Sequence, residues 1–560
     1  EHSGRTQDTG STGTGAKRKN HASDLVERRT HRRLLRVREK IGRIIMPRVA
    51  LAIAPRIQDD FGYTPAGASL VKAAIVKAGH ECKIFDFNAD LDSTFANNKT
   101  DLVPIENWFL NHNFYSEKIF TQVLEMSEKW IDQILEYKPT HLGISVFSYN
   151  SQRATLLLST LIKARAPDIQ VFMGGAGLNT DNNFGPFCMN QKIMDCWIRG
   201  EGELSVPAYL SGNLDHPGIN GRPPQQIDKI DDLEFPDFSD YELATYTNKK
   251  GLVALPITGS RGCVRACTFC DVASMWPKYK YRSGQSIARE IKTQVKRYGA
   301  KAFRFTDSLI NGSMKAFRDM THELAEFRMA MPIEERFIWD SHFIVRGERQ
   351  MPPSDFTKMA ESGAGTLLIG VESGSPSVRE HMKKGYTDEE LHYSLQQIFK
   401  NNIKVRFLMI IGYPTETQED YQQTLDFFDR YAEFGRKGLV EEVNLGLTLN
   451  LLPNTPLYDN ADKFGLETTK DHINDWVCSQ NPTLDFKERL KRRIEAQYYV
   501  EKLGYKVFES KNYTRALSIA WSQVENMKKE TKKIDATKVK FDREKGVIEE
   551  TPDFDPLRTY

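Results

Sequence analysis

Short, nearly continuous apolar runs alternate with longer segments of helical periodicity in two separate stretches of this chain. The first begins at Pro47. Residues 48–54 read as a buried strand; residues 65–79 carry apolar side chains at helical spacing and stop at Gly79, a residue suited to the position just past a helix C-terminus. Residues 81–87 return to a strand pattern, 116–137 to a helix, 141–147 to a strand, 151–165 to a helix and 169–174 to a strand, and a short strand ends near Arg199. Continuous apolar strands alternating with helices predict a parallel sheet covered on both faces. The expected unit is a Rossmann-like domain over residues 47–212.

Residues 213–250 are rich in Pro, Gly, Asp and Asn and read as a linker. The second stretch starts at Leu252, with strands expected at 252–258, 302–307, 336–342, 366–372, 405–411 and 443–452 and helices near 286–298, 314–330, 353–362, 387–401 and 418–433. Six βα units in succession predict an open, partial (β/α)6 barrel over residues 251–459, with chemistry at the C-terminal ends of its strands. The fold class is therefore α/β. Residues 460–560 read as a helical, charged C-terminal region with a flexible tail, and residues 1–46 as a disordered or basic extension.

Composition changes this picture little. A chain of 560 residues with 40% hydrophobic and 11% aromatic side chains can bury two or more cores. No run approaches the roughly 20 apolar residues of a membrane-spanning helix, and no N-terminal signal pattern is seen, so a soluble cytoplasmic protein without a membrane partner is expected. The net charge of +2 favours no polyanionic partner, and a nucleic acid is not expected. The basic stretch from Lys487 to Arg493, with Arg489, Lys491 and Arg492, reads as a solvated helix face.

The seven cysteines matter more. Their number is odd, and Cys263, Cys267 and Cys270 lie within eight residues, directly after the first expected barrel strand. That pattern suits reduced thiols and a metal site better than a disulfide framework. Three thiolates can hold three irons of a [4Fe-4S] cubane and leave the fourth without a protein ligand, whereas structural zinc wants four closed ligands; zinc or chance clustering is the alternative. Cys82, Cys188 and Cys196 read as core thiols, and His80 as a surface or packing residue.

The spacing C-x-x-x-C-x-x-C on such a loop, with Phe269 before the third cysteine, resembles the signature of the radical S-adenosylmethionine (SAM) superfamily. The resemblance implies that the three cysteines hold the cluster, that SAM chelates its open iron, and that an electron cleaves SAM to a 5′-deoxyadenosyl radical. It makes Phe269 a packing contact near adenine. Residues 369–375 look like the fourth-strand motif that approaches SAM, which makes Glu372 and Ser373 polar contacts, and Asp307 matches an acidic position of that superfamily. A plain strand end and a solvated turn aspartate are the bland readings of these positions. Segments 412–417 and 452–458 are similar to later strand ends and fix only the register.

The first domain resembles the cobalamin-binding domains of B12-dependent radical SAM proteins at Tyr63 and Thr64, at Ser145, at Gly174 and Gly175, and at Arg199 to Glu203. No G-x-G-x-x-G follows the first strand, which disfavours a plain nucleotide site. The D-x-H-x-x-G motif is also absent, so no lower cobalt ligand is assigned. Methyl transfer to an unactivated centre is the implied outcome. The alternatives are a radical rearrangement or cyclisation, with or without B12, and a non-catalytic cluster-containing binding protein. A small-molecule or peptide substrate and an electron donor such as flavodoxin or ferredoxin are implied as partners. No catalytic acid or base is named.

Overall fold

The computed structural model describes residues 46–508 apart from 56–62, 97–98, 111–115, 180–182, 249, 447 and 469–475; the extension and the C-terminal tail lie outside these. The first apolar runs form five strands, β1 (Arg48–Ile53), β2 (Glu81–Asp86), β3 (His141–Ser145), β4 (Gln170–Gly174) and β5 (Cys196–Trp197). They make one parallel sheet in the order β2-β1-β3-β4-β5. Its two faces are visible in β1: Val49, Leu51 and Ile53 enter one core, while Ala50 and Ala52 enter another. The second core is closed by the helix Glu117–Glu136 through Val123, Trp130, Ile131 and Ile134. Burial on both faces is why these strands read as continuous apolar runs.

The second stretch forms β6 (Ala254–Ile257), a small antiparallel hairpin of β7 (Ser260–Arg261) and β8 (Lys280–Tyr281), then β9 (Ala302–Phe305), β10 (Ile338–His342), β11 (Ala364–Glu372), β12 (Lys404–Met409) and β13 (Val440–Asn444). The six long strands are parallel in the order β13-β12-β11-β10-β9-β6, and β6 and β13 are its edges. Leu255, Phe303, Phe305, Trp339, Leu367, Ile369, Phe407 and Val443 pack into the core beneath the helices. The alternate positions Arg304, Asp340, His342, Arg406 and Glu442 are polar and half-buried. Two helices on this layer begin with capping boxes, at Thr387 with Glu390 and at Thr417 with Asp420.

Three features differ from the sequence reading. Residues 213–250 connect the sheets but also pack between them. Ile219, Phe238, Tyr241 and Tyr246 lie in the same core as β1 and the barrel strands, and buried Lys72 binds Asp240 at 2.6 Å and Asp237 at 3.5 Å. The last barrel strand ends at Asn444. The apolar run extends further because Leu449 and Leu451 are buried in irregular chain against Trp476. After the barrel comes an antiparallel pair, β14 (Leu466–Thr468) with β15 (Trp476–Cys478), before the helix Phe486–Lys502.

That helix corrects the expectation of a solvated basic face. Lys491 is exposed, but Arg489, Arg492 and Arg493 are buried. Arg489 stacks 3.6 Å over Trp476 and donates to the carbonyls of Trp476 and Leu484; Arg492 pairs with Glu416 at 3.1 Å; Arg493 donates to the Gly446 carbonyl at 2.6 Å. Guanidinium forks satisfied by carbonyls and a carboxylate are what allow such residues inside. No helix of the described residues is long and apolar enough to cross a membrane.

Candidate functional site

The cysteine loop fills the β7–β8 hairpin at the C-terminal end of β6. Its entry is held by Asp307, which follows β9. The Asp307 carboxylate accepts the Gly259 amide at 2.8 Å and the Ser260 hydroxyl at 2.6 Å, and it is 2% exposed. Burial lifts its pKa to about 7 against the opposing pull of these donors. Gly262 then turns with φ +87°, where a Cβ would lie 2.9 Å from the Lys278 carbonyl oxygen.

Cys263, Cys267 and Cys270 are half-buried free thiols. The Arg265 amide donates to Cys263 Sγ at 3.3 Å, and the Val272 amide serves Cys270. Burial raises the Cys267 thiol and pushes Cys270 up to about 11, and Cys263 adds to both shifts. Iron would deprotonate them. Three unbridged sulfurs, two already accepting backbone N–H bonds, fit an iron–sulfur cluster. Among the described residues no three His, Cys, Asp or Glu side chains converge as around one metal ion.

The middle of the loop is clamped by Met382 and by two segments, 412–417 and 452–458, that sequence reasoning used only for register. The Thr268 amide donates to the Met382 carbonyl at 3.1 Å, and its hydroxyl lies 2.8 Å from Tyr413 Oη. Its own carbonyl accepts the Leu457 amide at 2.7 Å. Phe269 rests partly buried on the cluster formed by Met382, Tyr413 and Leu457.

Glu372 ends β11 at φ +67°, just after a register shift against β12. A non-glycine residue in the left-handed region is strained and needs its surroundings to hold it. Here Lys384 Nζ donates to Glu372 Oε1 at 3.0 Å and sits 5.8 Å over the Phe269 ring. Burial works against the Lys384 charge, but Glu372, Tyr386 and Cys267 together outweigh it and keep the amine well above its ordinary value. Lys384 also lowers Cys267. It is the residue that sequence reasoning missed; a lysine after a helix carries no signal of its own. Ser373 is fully buried behind this strand end. Its hydroxyl meets Thr424 at 3.2 Å and the Ser375 amide at 3.1 Å, and its carbonyl accepts Arg379 at 2.7 Å. The loop therefore gathers Asp307, Phe269 and Glu372, while Ser373 is committed to the turn.

At the C-terminal edge of the first sheet, Ile53, Ser145 and Gly174 end β1, β3 and β4 in matching register. Tyr63 is half-buried, and Thr64 is 2% exposed with a buried hydroxyl that has no partner among the described residues. A Cβ on Gly175, at φ +118°, would lie 2.4 Å from the Val146 carbonyl oxygen, so this glycine lets two loops touch; Gly174 has only ordinary contacts. Phe147, beyond β3, is 47% exposed. A hydroxyl orphaned among the described residues, an exposed aromatic and a glycine pair along one edge fit a large flat ligand such as a corrin.

The two edges are joined by charge. Arg261, two residues before Cys263, forms ion pairs with both Glu201 and Glu203 from beyond β5, at side-chain exposures of 8%, 1% and 7%. Glu201 also accepts the Ile227 amide. Burial raises Glu201, with Arg261 opposing, while burial of Arg261 is outweighed by its two carboxylates, which hold it above its ordinary value. The acidic pair at Arg199 to Glu203 thus serves the cysteine loop.

Residues 257–428 match the radical SAM superfamily. The cytidylyl-2-hydroxyethylphosphonate methyltransferase of Streptomyces wedmorensis is 23% identical over 419 residues, which cover 65% of this chain and 72% of that protein. Two solved structures share the fold. The radical SAM methyltransferase TsrM of Kitasatospora setae, with cobalamin and a [4Fe-4S] cluster bound, covers 76% of this chain and 77% of its own at 16% identity and a TM-score of 0.51. The cobalamin-dependent SAM radical enzyme OxsB, with aqua-cobalamin, covers 87% and 76% at 15% identity and a TM-score of 0.60.

Proposed function

Since this chain belongs to the radical SAM superfamily through residues 257–428, we propose that it is a cobalamin-dependent radical SAM methyltransferase acting on an unactivated centre of a small-molecule or peptide substrate. When bound, the cluster would supply the electron for reductive SAM cleavage and cobalamin would carry the methyl group. In this reading Cys263, Cys267 and Cys270 hold the cluster, and Asp307 fixes the entry to their loop. Glu372, held by Lys384, presents a carboxylate to SAM beside Phe269. Thr64 and Tyr63, with Ser145, Gly174 and Gly175, border the cobalamin face. A one-electron donor such as flavodoxin or ferredoxin and a cytoplasmic setting belong to the same reading.

The observation that carries it is the Arg261 triad. It ties the cysteine loop to the sheet whose open edge suits the corrin, so both cofactors would face one space. The test is anaerobic reconstitution with iron, sulfide and hydroxocobalamin, followed by SAM carrying a deuterated methyl group and titanium citrate. Iron–sulfur and corrinoid absorbance together, 5′-deoxyadenosine, and label in the product are the expected results. Unlabelled product with 5′-deoxyadenosine would instead indicate rearrangement or cyclisation. Stoichiometric SAM binding without cleavage would leave a binding protein.

A further inference from the structure

Two arginines at the barrel mouth have no counter-ion among the described residues. Arg265 lies between Cys263 and Cys267. Its guanidinium makes no hydrogen bond or ion pair among the described residues, and its Nε is buried. Its Nη1 lies 2.4 Å from where a Cβ on Gly385 would sit, so the side chain lies against the loop that carries Lys384. Arg346 follows β10. It donates to the Asn311 carbonyl at 2.9 Å, the Gly312 carbonyl at 3.2 Å and Gln350 Oε1 at 3.2 Å, and its own Nε is buried without a partner. Burial and then the charge of Arg265 both disfavour the charged form of Arg346, which places the two cations within each other's field.

Three acids of these loops are engaged elsewhere. Glu372 accepts Lys384, Asp307 accepts Gly259 and Ser260, and Glu390 accepts the Thr387 amide in its capping box. Two buried Nε–H donors on half-buried arginines, without acceptors among the described residues and with a second cation close by, are unfavourable as they stand. Such orphans point to a missing ligand of opposite charge. The planar N–H fork of arginine matches the oxygen pairs of phosphate, phosphonate and carboxylate. The place is also telling, because these loops follow β6, β9, β10 and β11 at the end of the barrel where chemistry occurs.

We infer that Arg265 and Arg346 form an anion-binding subsite that takes a phosphate, phosphonate or carboxylate group of the substrate. This rests on the proposed radical SAM chemistry at the adjoining loop. The carboxylate of SAM is the other possible source of the same charge, and the experiment separates the two.

The cofactor-loaded protein is titrated anaerobically with inorganic phosphate and, separately, with SAM. The proteins compared are the natural chain, Arg265→Gln, Arg265→Lys and Arg346→Gln. Arg265→Gln is the cleaner variant, since that guanidinium makes no hydrogen bond or ion pair among the described residues; Arg346→Gln also frees two carbonyls. Phosphate affinity is expected to fall at least tenfold in both glutamine variants and to recover in part in Arg265→Lys, with SAM affinity retained. Equal phosphate binding by all four proteins would overturn the subsite. Parallel loss of SAM affinity, or displacement of SAM by phosphate in the natural chain, would assign the arginines to SAM and overturn it equally. Formation of 5′-deoxyadenosine by the natural chain in the same preparation reports separately on the radical chemistry.

Discussion

The mouth of the barrel and the edge of the first sheet face ligands in opposite ways. At the mouth almost every polar group near the cysteines is already engaged. Asp307 holds the loop entry, Thr268 is gripped on three sides, and Glu372 is paired with Lys384. At the sheet edge the described residues offer little to grip with: one hydroxyl without a partner among them, small residues and an exposed phenyl ring. The difference follows from the ligands each would hold. A cluster is bonded covalently through a few atoms, so its loop must be fixed before it arrives. A flat macrocycle is held by area, so its site must be left open.

The sharpest way to break the comparison is at the sulfurs. Replacing Cys263, Cys267 and Cys270 together by alanine should abolish the iron–sulfur absorbance of reconstituted protein and all 5′-deoxyadenosine formation, yet leave any corrinoid binding at the other edge. If corrinoid absorbance vanished as well, the two edges would not be separable.

The next effect concerns the joint. Arg261→Met leaves two buried carboxylates facing each other and should destabilise the protein by about 3–5 kcal/mol in urea unfolding. Adding Glu201→Gln and Glu203→Gln should recover much of that. A single-variant loss under about 1 kcal/mol would show the triad to be solvated.

A smaller effect lies in pH. Buried Asp307, with a pKa near 7 against 3.8 for the free group, keeps a proton that the unfolded chain releases, so its contribution to stability falls as pH rises from about 4 to 7. His342 is lowered from 6.5 to about 4 mainly by burial, and its contribution falls as pH drops from about 6.5 to 4. Over the shared window the two slopes oppose. Asp307→Asn should leave stability rising with pH by about 1.4 kcal/mol per unit, and His342→Gln should leave it falling by as much. Identical profiles for both variants would contradict the assignment.

The smallest expected change is at the open edge. Thr64→Val removes a buried hydroxyl that has no partner among the described residues, so the unliganded protein should be unchanged or slightly more stable. Retention of cobalamin on gel filtration should fall roughly fivefold, as expected for about 1 kcal/mol of one hydrogen bond. A loss of stability without loss of cobalamin would place that hydroxyl in the fold.

Much of this was legible in the sequence, where one interaction dominates locally. The strands of both sheets are buried on the helix-covered side, so their apolar runs stand out, and the three cysteines announce themselves by spacing. The rest depends on partners distant in sequence. Glu201 and Glu203 look like surface acids until Arg261 folds against them. Arg489, Arg492 and Arg493 look solvated until Trp476, Glu416 and Gly446 surround them. Leu449 and Leu451 extend an apolar run past its strand because irregular chain can also be buried. Ser373 falls in a motif matched by resemblance, yet its hydroxyl is spent on Thr424 and Ser375.

The grip on Thr268 has a bearing on biogenesis. A ribosome releases the three thiols long before it releases Met382, Tyr413 and Leu457, the groups that immobilise the segment between them. Until Leu457 has emerged and docked, the nascent loop is a floppy trio of sulfhydryls, open to oxidation or stray metals. Loading of iron and sulfide should therefore follow release of the finished polypeptide, and a chain truncated before Leu457 should take up iron poorly even though every sulfur ligand is present.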